Sequence, residues 1–370
     1  MSDQYLNLPL APADVAFGLM AEYEADPHPN KVSLIAGAYR DEDGRHWVLP
    51  SVKEAKARLT PDQHHEYLGI AGSPALIKLT QSLTFPSPTW INHKSIWAST
   101  GVQIEEYPYY EPVAGSVDID SMLATLETAT PRDVVILQAC AHNPTGVDLS
   151  RAEWTRVAEV VKRKNLFAVF DSAYQGFATG DVDGDAWAVR YFAEQLILHG
   201  QPDRPGLCVA QSFSKNFGLY GERVGAIHLV VPRHLSAKGA LSELIALARA
   251  EYSNPPRFGA SIVETVLGDG ELRAQWQRDL ETMNVRIQAM RLQLRKTLED
   301  NGTPGDWAFI PSQIGMFNYT GLGREQVDRL RKGFHIYLLP SGRASICGLN
   351  EGNVGYVARA IREVVGSGHN

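Results

Sequence analysis

Three short segments put reactive side chains where a strand is expected to end. Ala141-His142-Asn143-Pro144-Thr145-Gly146 follows the apolar run 134–137, and Asp171-Ser172-Ala173-Tyr174-Gln175-Gly176-Phe177 follows 166–170. Ser212-Phe213-Ser214-Lys215-Asn216-Phe217-Gly218, with Arg223 beyond it, follows 207–210. In an open parallel sheet, ligands bind outside the carboxyl ends of the strands. Taken singly, each segment has a plain structural reading: a turn, a helix cap, a surface lysine. Together they supply an amine, a carboxylate, hydroxyls and a guanidinium, a set that suits chemistry on amines through pyridoxal 5'-phosphate. Such chemistry needs a lysine for an imine, a carboxylate for the pyridine nitrogen, donors to the ring oxygen and cations for the phosphate. Asp171 at the end of a buried strand is costly unless paired, and a pyridinium is such a pair. Asn143 and Tyr174 are suited to the ring hydroxyl, Lys215 to the imine and then to proton transfer, and Arg223, Ser212 and Ser214 to the phosphate.

The elements around these segments are legible from periodicity. Runs 134–137, 166–170, 207–210 and 226–231 are apolar on both faces and bounded by polar residues or glycine, as buried strands are. Ser150-Arg151-Ala152-Glu153 is a capping box that opens a helix to about Lys164. Strand, helix, strand in this order predicts right-handed crossovers and a mainly parallel sheet. Further on, Trp276, Leu280, Met283, Ile287, Met290, Leu294 and Leu298 form the stripe of one long helix ending near Asn301-Gly302. Strand-like segments at 316–319 and 336–339 precede a closing helix with Val354, Val357, Ala358, Ile361 and Val365 on one face. Pro9, Pro12, Pro27 and Pro29 make residues 1–45 read as an irregular arm. The expected fold is α/β: a large domain over 46–282 with a mainly parallel sheet flanked by helices. A smaller α+β domain is then built from both chain ends, 1–45 and 283–370.

Composition narrows the function classes. The chain has 370 residues, 44% of them hydrophobic and 21% charged, which suits two domains of roughly 150 residues or more with sizeable cores. A formal charge of −7 gives no bulk attraction to nucleic acid or anionic lipid. No apolar stretch approaches a membrane span, and the N-terminal residues lack the pattern of a signal peptide. Three dispersed cysteines, Cys140, Cys208 and Cys347, argue against a disulfide framework or a zinc ribbon. A cytoplasmic protein with no metal site, no nucleic-acid partner and no membrane partner is expected.

The runs HNPTG, DSAYQGF and SFSKNFGLYGERVG resemble those of the aspartate aminotransferase family, within the class I aminotransferases of fold type I. The likeness runs from LIAGAYRD near Val32 to SGRASICGLN, so it covers nearly the whole chain. It implies a homodimer and a reaction between aspartate or glutamate and 2-oxoglutarate or oxaloacetate. It also implies the roles given above to Asn143, Asp171, Tyr174, Lys215 and Arg223. By the same resemblance Arg343 holds the substrate α-carboxylate, and Arg249 reaches the distal carboxylate across the dimer interface. Both tasks suit the planar, bidentate guanidinium. Gly37 and Trp90 match a backbone contact and an aromatic wall around the substrate. Tyr67 matches a phosphate contact from the partner subunit, and His93 matches the imidazole behind the cofactor ring.

The resemblance has one gap and one substitution. Relatives carry a phosphate-binding loop, a helix and at least one strand between the positions of Tyr67 and Trp90. Here Ser73-Pro74 opens a helix that runs on to Phe85, and Pro86-Ser87-Pro88-Thr89-Trp90 follows directly. Each charge-assisted hydrogen bond lost from a phosphate is worth about 1.5–3 kcal/mol. The cofactor is therefore expected to bind less tightly. The shortfall leaves three readings: a gene model or splice form lacking a segment, a diverged enzyme, or a non-catalytic paralogue. An aminotransferase of specialised metabolism with another substrate is a further alternative. The substitution is Gln138, where relatives often carry a histidine.

Overall fold

A computed structural model of the chain describes residues 14–59, 88–90, 92–99, 103–131, 133–198, 206–232 and 236–366. Tyr67, the helix start at Ser73-Pro74 and the Phe85-Pro86 junction lie outside the described residues.

Residues 14–45 are more ordered than an irregular arm. Helix α1 (Val15–Ala25) fits between Pro12 and Pro27, opened by Asp14, whose carboxylate accepts the Phe17 N–H. The prolines bracket this helix and do not interrupt it, as their tolerance near helix starts and beyond helix ends allows. Strand β1 (Val32–Ser33) then leaves for the C-terminal part of the chain, and helix α2 (Pro50–Arg58) begins on a proline.

The central sheet is built from β2 (Val134–Gln138), β3 (Phe167–Ser172), β4 (Leu207–Ser212) and β5 (Gly225–Val230), in that order. The first three strands are parallel and β5 is antiparallel. Residues 213–224 join β4 to β5 with no crossover helix, only the short turn Tyr220–Glu222, and the chain returns antiparallel. Between β2 and β3, helix α3 (Arg151–Lys164) carries the expected capping box and ends on Asn165 in the left-handed region. It buries Trp154, Val157 and Val161 against one face of the sheet. The register sets Gln138 beside Asp171, Asp171 beside Ala210, and Ser212 beside Gly225. The three reactive segments therefore leave from one edge of the sheet, as the sequence pattern predicts.

Helix α4 (Gly270–Asp300) spans 31 residues, and all seven residues of the expected stripe are buried. Its Asp279 accepts from the Ser51 N–H at 3.0 Å, the Ser51 hydroxyl at 2.7 Å and Gln275 Nε2 at 2.8 Å, which fixes the start of α2. Its Arg291 is fully buried and donates to the carbonyls of Ile310 (3.2 Å), Gly315 (3.0 Å) and Phe317. Burial pulls the Arg291 pKa down to about 9, and the guanidinium finds only carbonyl dipoles as hydrogen-bond acceptors. The segment 310–317 is thereby held against α4. Strands β6 (Phe317–Tyr319), β7 (Ile336–Tyr337) and β8 (Arg343–Ser345) and the closing helix α5 (Val354–Gly366) complete the C-terminal region. In α5 Val364 is fully buried, whereas the expected Val365 is only half-buried. β1 pairs in parallel with β7, Val32 opposite Ile336, so the start of the chain joins a sheet with its end. Among the described residues no helix is long and apolar enough to cross a membrane.

One joint between the sheet and the C-terminal region has no spare room. Ile314 N–H donates to the Gly146 carbonyl at 2.7 Å. Gly315 has φ +76°, and a Cβ there would lie 2.4 Å from that of Ala141. Gly315→Ala is expected to cost about 2 kcal/mol or more, through overpacking and left-handed strain. Urea unfolding measures it, and an unchanged midpoint would contradict this packing.

Candidate active site

The site forms where the segments after β2, β3 and β4 meet the C-terminal region. Asp171 is the penultimate residue of β3, and burial pushes its pKa up to about 7, with the charge of Lys215 pulling the other way. Desolvation outweighs attraction here because the lysine does not reach hydrogen-bond distance. Lys215 Nζ instead lies 5.2 Å from the centre of the Tyr174 ring. His93 Nε2 is 3.5 Å from Asp171 Oδ2, and burial lowers the His93 pKa to about 3. The imidazole is therefore neutral at physiological pH, and its contact with Asp171 is a polar approach without ion pairing. Thr89 Oγ1 sits 2.5 Å from His93 Nδ1, and Trp90 meets the His93 ring edge-on at 5.2 Å.

Asn143 ties the two halves of the site together. Its Nδ2 donates to Tyr174 Oη at 3.1 Å, and its Oδ1 accepts from Arg343 Nη1 at 3.2 Å. Arg343 Nη2 donates to the Ile35 carbonyl at 2.7 Å, and the guanidinium lies 4.2 Å from the Phe317 ring centre. The side chain is only 9% exposed, its pKa is lowered by burial, and its Nε has no hydrogen-bond partner. An arginine does not lose its proton in a protein, so Arg343 is a buried cation with no carboxylate partner among the described residues. Gly37 borders the same place: a Cβ there would fall 2.6 Å from Phe317 Cζ, so only glycine lets the backbone come this close.

Of the remaining candidates Ser214 is buried, and Ser212, Arg223, Trp90 and Arg249 are more open. The Ser212 hydroxyl accepts the Ser214 N–H at 3.2 Å, which folds the chain between β4 and Lys215. Arg223 is exposed, adopts φ +51° and donates to the Tyr220 carbonyl at 2.9 Å. Trp90 is 39% exposed. Arg249 does not join the cluster: it lies near the end of an exposed helix (Ala237–Glu251), bonded to Ser253 Oγ at 2.5 Å. Tyr67 is outside the described residues.

Four supporting groups escape a reading by residue type. Tyr220 Oη accepts the Tyr39 N–H at 2.9 Å, joining the N-terminal segment to the loop of Arg223. Asp185 accepts N–H groups from Gly176 (2.7 Å), Ala178 (3.1 Å) and Thr179 (3.1 Å), closing the loop that carries Tyr174. Phe317 reads as an ordinary strand residue, and the Ile35 carbonyl carries no side-chain signal at all. Tyr220 and Ile35 lie within the runs SFSKNFGLYGERVG and LIAGAYRD, which carry no signal of these particular contacts.

The donor set fits the ring of pyridoxal phosphate: the partly buried carboxylate of Asp171, the amine of Lys215 and the hydroxyl–amide pair of Tyr174 and Asn143. At the phosphate end the candidates are Ser212, Ser214 and Arg223. Fold and site thus define an enzyme of the α/β cofactor-dependent class. The family model described as "Aminotransferase class I and II" matches residues 80–361, and the chain belongs to that family. The cytoplasmic aspartate aminotransferase of Saccharomyces cerevisiae is 41% identical, covering 97% of this chain and 96% of the relative. That alignment runs over 407 residues against the 370 of this chain, so the relative has residues with no counterpart here. The solved structure of aspartate aminotransferase from Saccharomyces cerevisiae cytoplasm superposes with a TM-score of 0.93 at 40% identity, covering 98% of both chains. An aromatic-amino-acid aminotransferase from Burkholderia pseudomallei, covalently bound to pyridoxal phosphate, gives a TM-score of 0.91 at 38% identity. It covers 98% of this chain and 99% of its own.

The elevated pKa of Asp171 has a measurable consequence for the cofactor-free protein. The folded state keeps a proton up to about pH 7, whereas an unfolded aspartate loses it near pH 4. Between those values the folded state binds more protons, so this group makes stability fall as pH rises. Asp171→Asn is expected to stabilise the cofactor-free protein at pH 8 by on the order of 1–3 kcal/mol, and little at pH 4. Paired melting curves at the two pH values test this, and equal effects at both would contradict it.

Proposed function

We propose that this protein is a pyridoxal 5'-phosphate-dependent aspartate aminotransferase, exchanging the amino group between aspartate or glutamate and 2-oxoglutarate or oxaloacetate. One observation carries the reading. Arg343, a buried cation with no carboxylate partner among the described residues, is joined through Asn143 to the Tyr174 whose ring Lys215 covers. When bound, the cofactor supplies the carbonyl that receives the amino group and an electron-withdrawing ring that acidifies the substrate α-hydrogen. Every other task falls to side chains.

Arg343 binds the substrate α-carboxylate in a bidentate pair, which orients the α-carbon over the site. Asp171 keeps a proton on the ring nitrogen, and a cation there restores its own pKa to the ordinary carboxylate range. Neutral His93 packs behind Asp171 without adding charge. Asn143 and Tyr174 direct hydrogen bonds at the ring oxygen, and Lys215 Nζ, once free, takes the α-proton and returns it at the neighbouring carbon. Gly37 lets the backbone approach the substrate carboxylate, with Trp90 as the aromatic wall. Ser212, Ser214 and Arg223 hold the phosphate, with Tyr67 of the second subunit.

Arg249 takes the distal carboxylate from the neighbouring subunit of a homodimer. Its exposed position beside exposed Leu247, Tyr252 and Phe258 supports that arrangement. The cytoplasmic name of the yeast relative supports a cytoplasmic site of action. The Burkholderia structure motivates a second reading, transamination of aromatic amino acids.

Purified protein with added cofactor is expected to show an absorbance band that Lys215→Ala removes, together with aspartate turnover in a coupled assay. Arg343→Lys is expected to lower kcat/KM by roughly 100-fold, since a point charge replaces the fork. Arg249→Leu is expected to lower the rate with aspartate far more than with phenylalanine. Absence of turnover with both amino acids would contradict the reading, and turnover of phenylalanine alone would favour the second one.

A further inference from the structure

Asn143 bridges Tyr174 and Arg343, and it stands in the loop beyond β2, outside the strand ladder. Ala141 has φ +50°, and Pro144, which follows Asn143, has no N–H to donate. The loop's far side is closed by the Gly146 N–H on the His142 carbonyl at 2.7 Å and by Thr145 Oγ1, 2.7 Å from His142 Nδ1; its strand side is held by two side chains. Asp148 accepts the N–H groups of Ala141 (2.6 Å) and His142 (2.9 Å). Gln138, the last residue of β2, takes both backbone groups of Asn143: its Oε1 accepts the N–H at 2.8 Å, and its Nε2 donates to the carbonyl at 3.0 Å. The carboxamide thus acts as one more rung on the strand, and its two ends are both committed, so its orientation is fixed. It is only 7% exposed, and its register partner is Asp171.

We propose that Gln138 is a positioning residue for the reaction: its two hydrogen bonds to the Asn143 backbone set the amide that holds both Arg343 and Tyr174. A neutral histidine at this position would have one ring donor and one ring acceptor on opposite sides. It cannot return both bonds to the same residue. A loop freed of this clamp shifts Asn143, which loosens the carboxylate-binding guanidinium and the tyrosine hydroxyl together. A misplacement near 1 Å costs up to about 100-fold in rate. The two effects are separable in kinetics, because Arg343 governs substrate affinity and Tyr174 the ring oxygen.

The inference rests on the proposed transamination, so its test includes a readout that needs no turnover. Gln138→Met keeps the size and removes both bonds, while Gln138→His keeps one. Rates are expressed per cofactor-loaded protein, from the absorbance band. Gln138→Met is expected to raise KM for aspartate and lower kcat, with kcat/KM falling roughly 10- to 100-fold. Gln138→His is expected to lie between it and the unaltered protein. The pH midpoint at which the bound cofactor's absorbance titrates is expected to move in the same order, because Asn143 and Tyr174 tune the ring oxygen. A purely structural role for Gln138 predicts a lower melting temperature with KM and the spectral midpoint unchanged. That result in either variant would overturn the proposal. Unaltered protein that loads cofactor but turns over no amino acid would overturn the transamination reading instead, and the spectral midpoints would still decide the role of Gln138.

Discussion

Asp171, partly buried, and Arg343, buried, are an acid and a base of one site that do not pair with each other. That separation is the constraint on which the rest of the site depends. An isolated buried charge is expensive, and a protein usually pairs it, neutralises it or leaves it near water. Here Asp171 is pushed toward its neutral form, and Arg343 keeps its charge with only dipoles and a ring around it. Each lacks the partner that a ligand brings: a pyridinium for one and a carboxylate for the other. Were the two to meet, they would satisfy each other and the site would have little reason to bind either group.

What keeps them apart is the scaffold. Asp171 is fixed by the β2–β3 register, and Arg343 lies on β8, in a region tied to the chain's start by the pairing of β1 with β7. Asn143 holds Arg343 at one end of its amide and Tyr174 at the other. Further out, Arg291 grips the carbonyls of Gly315 and Phe317 and so seats the ring on which Arg343 rests. A chain of carbonyls, amides and aromatic faces thus runs from the long helix to the guanidinium, and none of these contacts neutralises the charge that binding requires.

Much of this was legible in the sequence, for physical reasons. Strand ends carrying Asn143, Asp171 and Lys215 follow from apolar runs bounded by polar residues, and the long helix follows from a stripe of seven buried residues. The capping box at Ser150 appeared as expected, because it is a local device. Helix α1 was missed because its bracketing prolines look like interruptions when their helix-compatible positions are not considered. The roles of Phe317, Tyr220 and the Ile35 carbonyl depend on contacts between distant segments, which no local pattern encodes. Gln138 is the instructive case. Read by residue type it is a weaker substitute for histidine, whereas its geometry shows a two-point hold on the Asn143 backbone.

The central claim is that Asp171 is left short of a cation which the cofactor provides. Infrared difference spectroscopy of the Asp171 carboxyl at pH 6 addresses it most directly, with Asp171→Asn identifying the band. The account predicts a protonated carboxyl signal in the cofactor-free protein that is lost when pyridoxal 5'-phosphate binds. A carboxylate already ionised without cofactor, or one that stays protonated with it, would contradict the account.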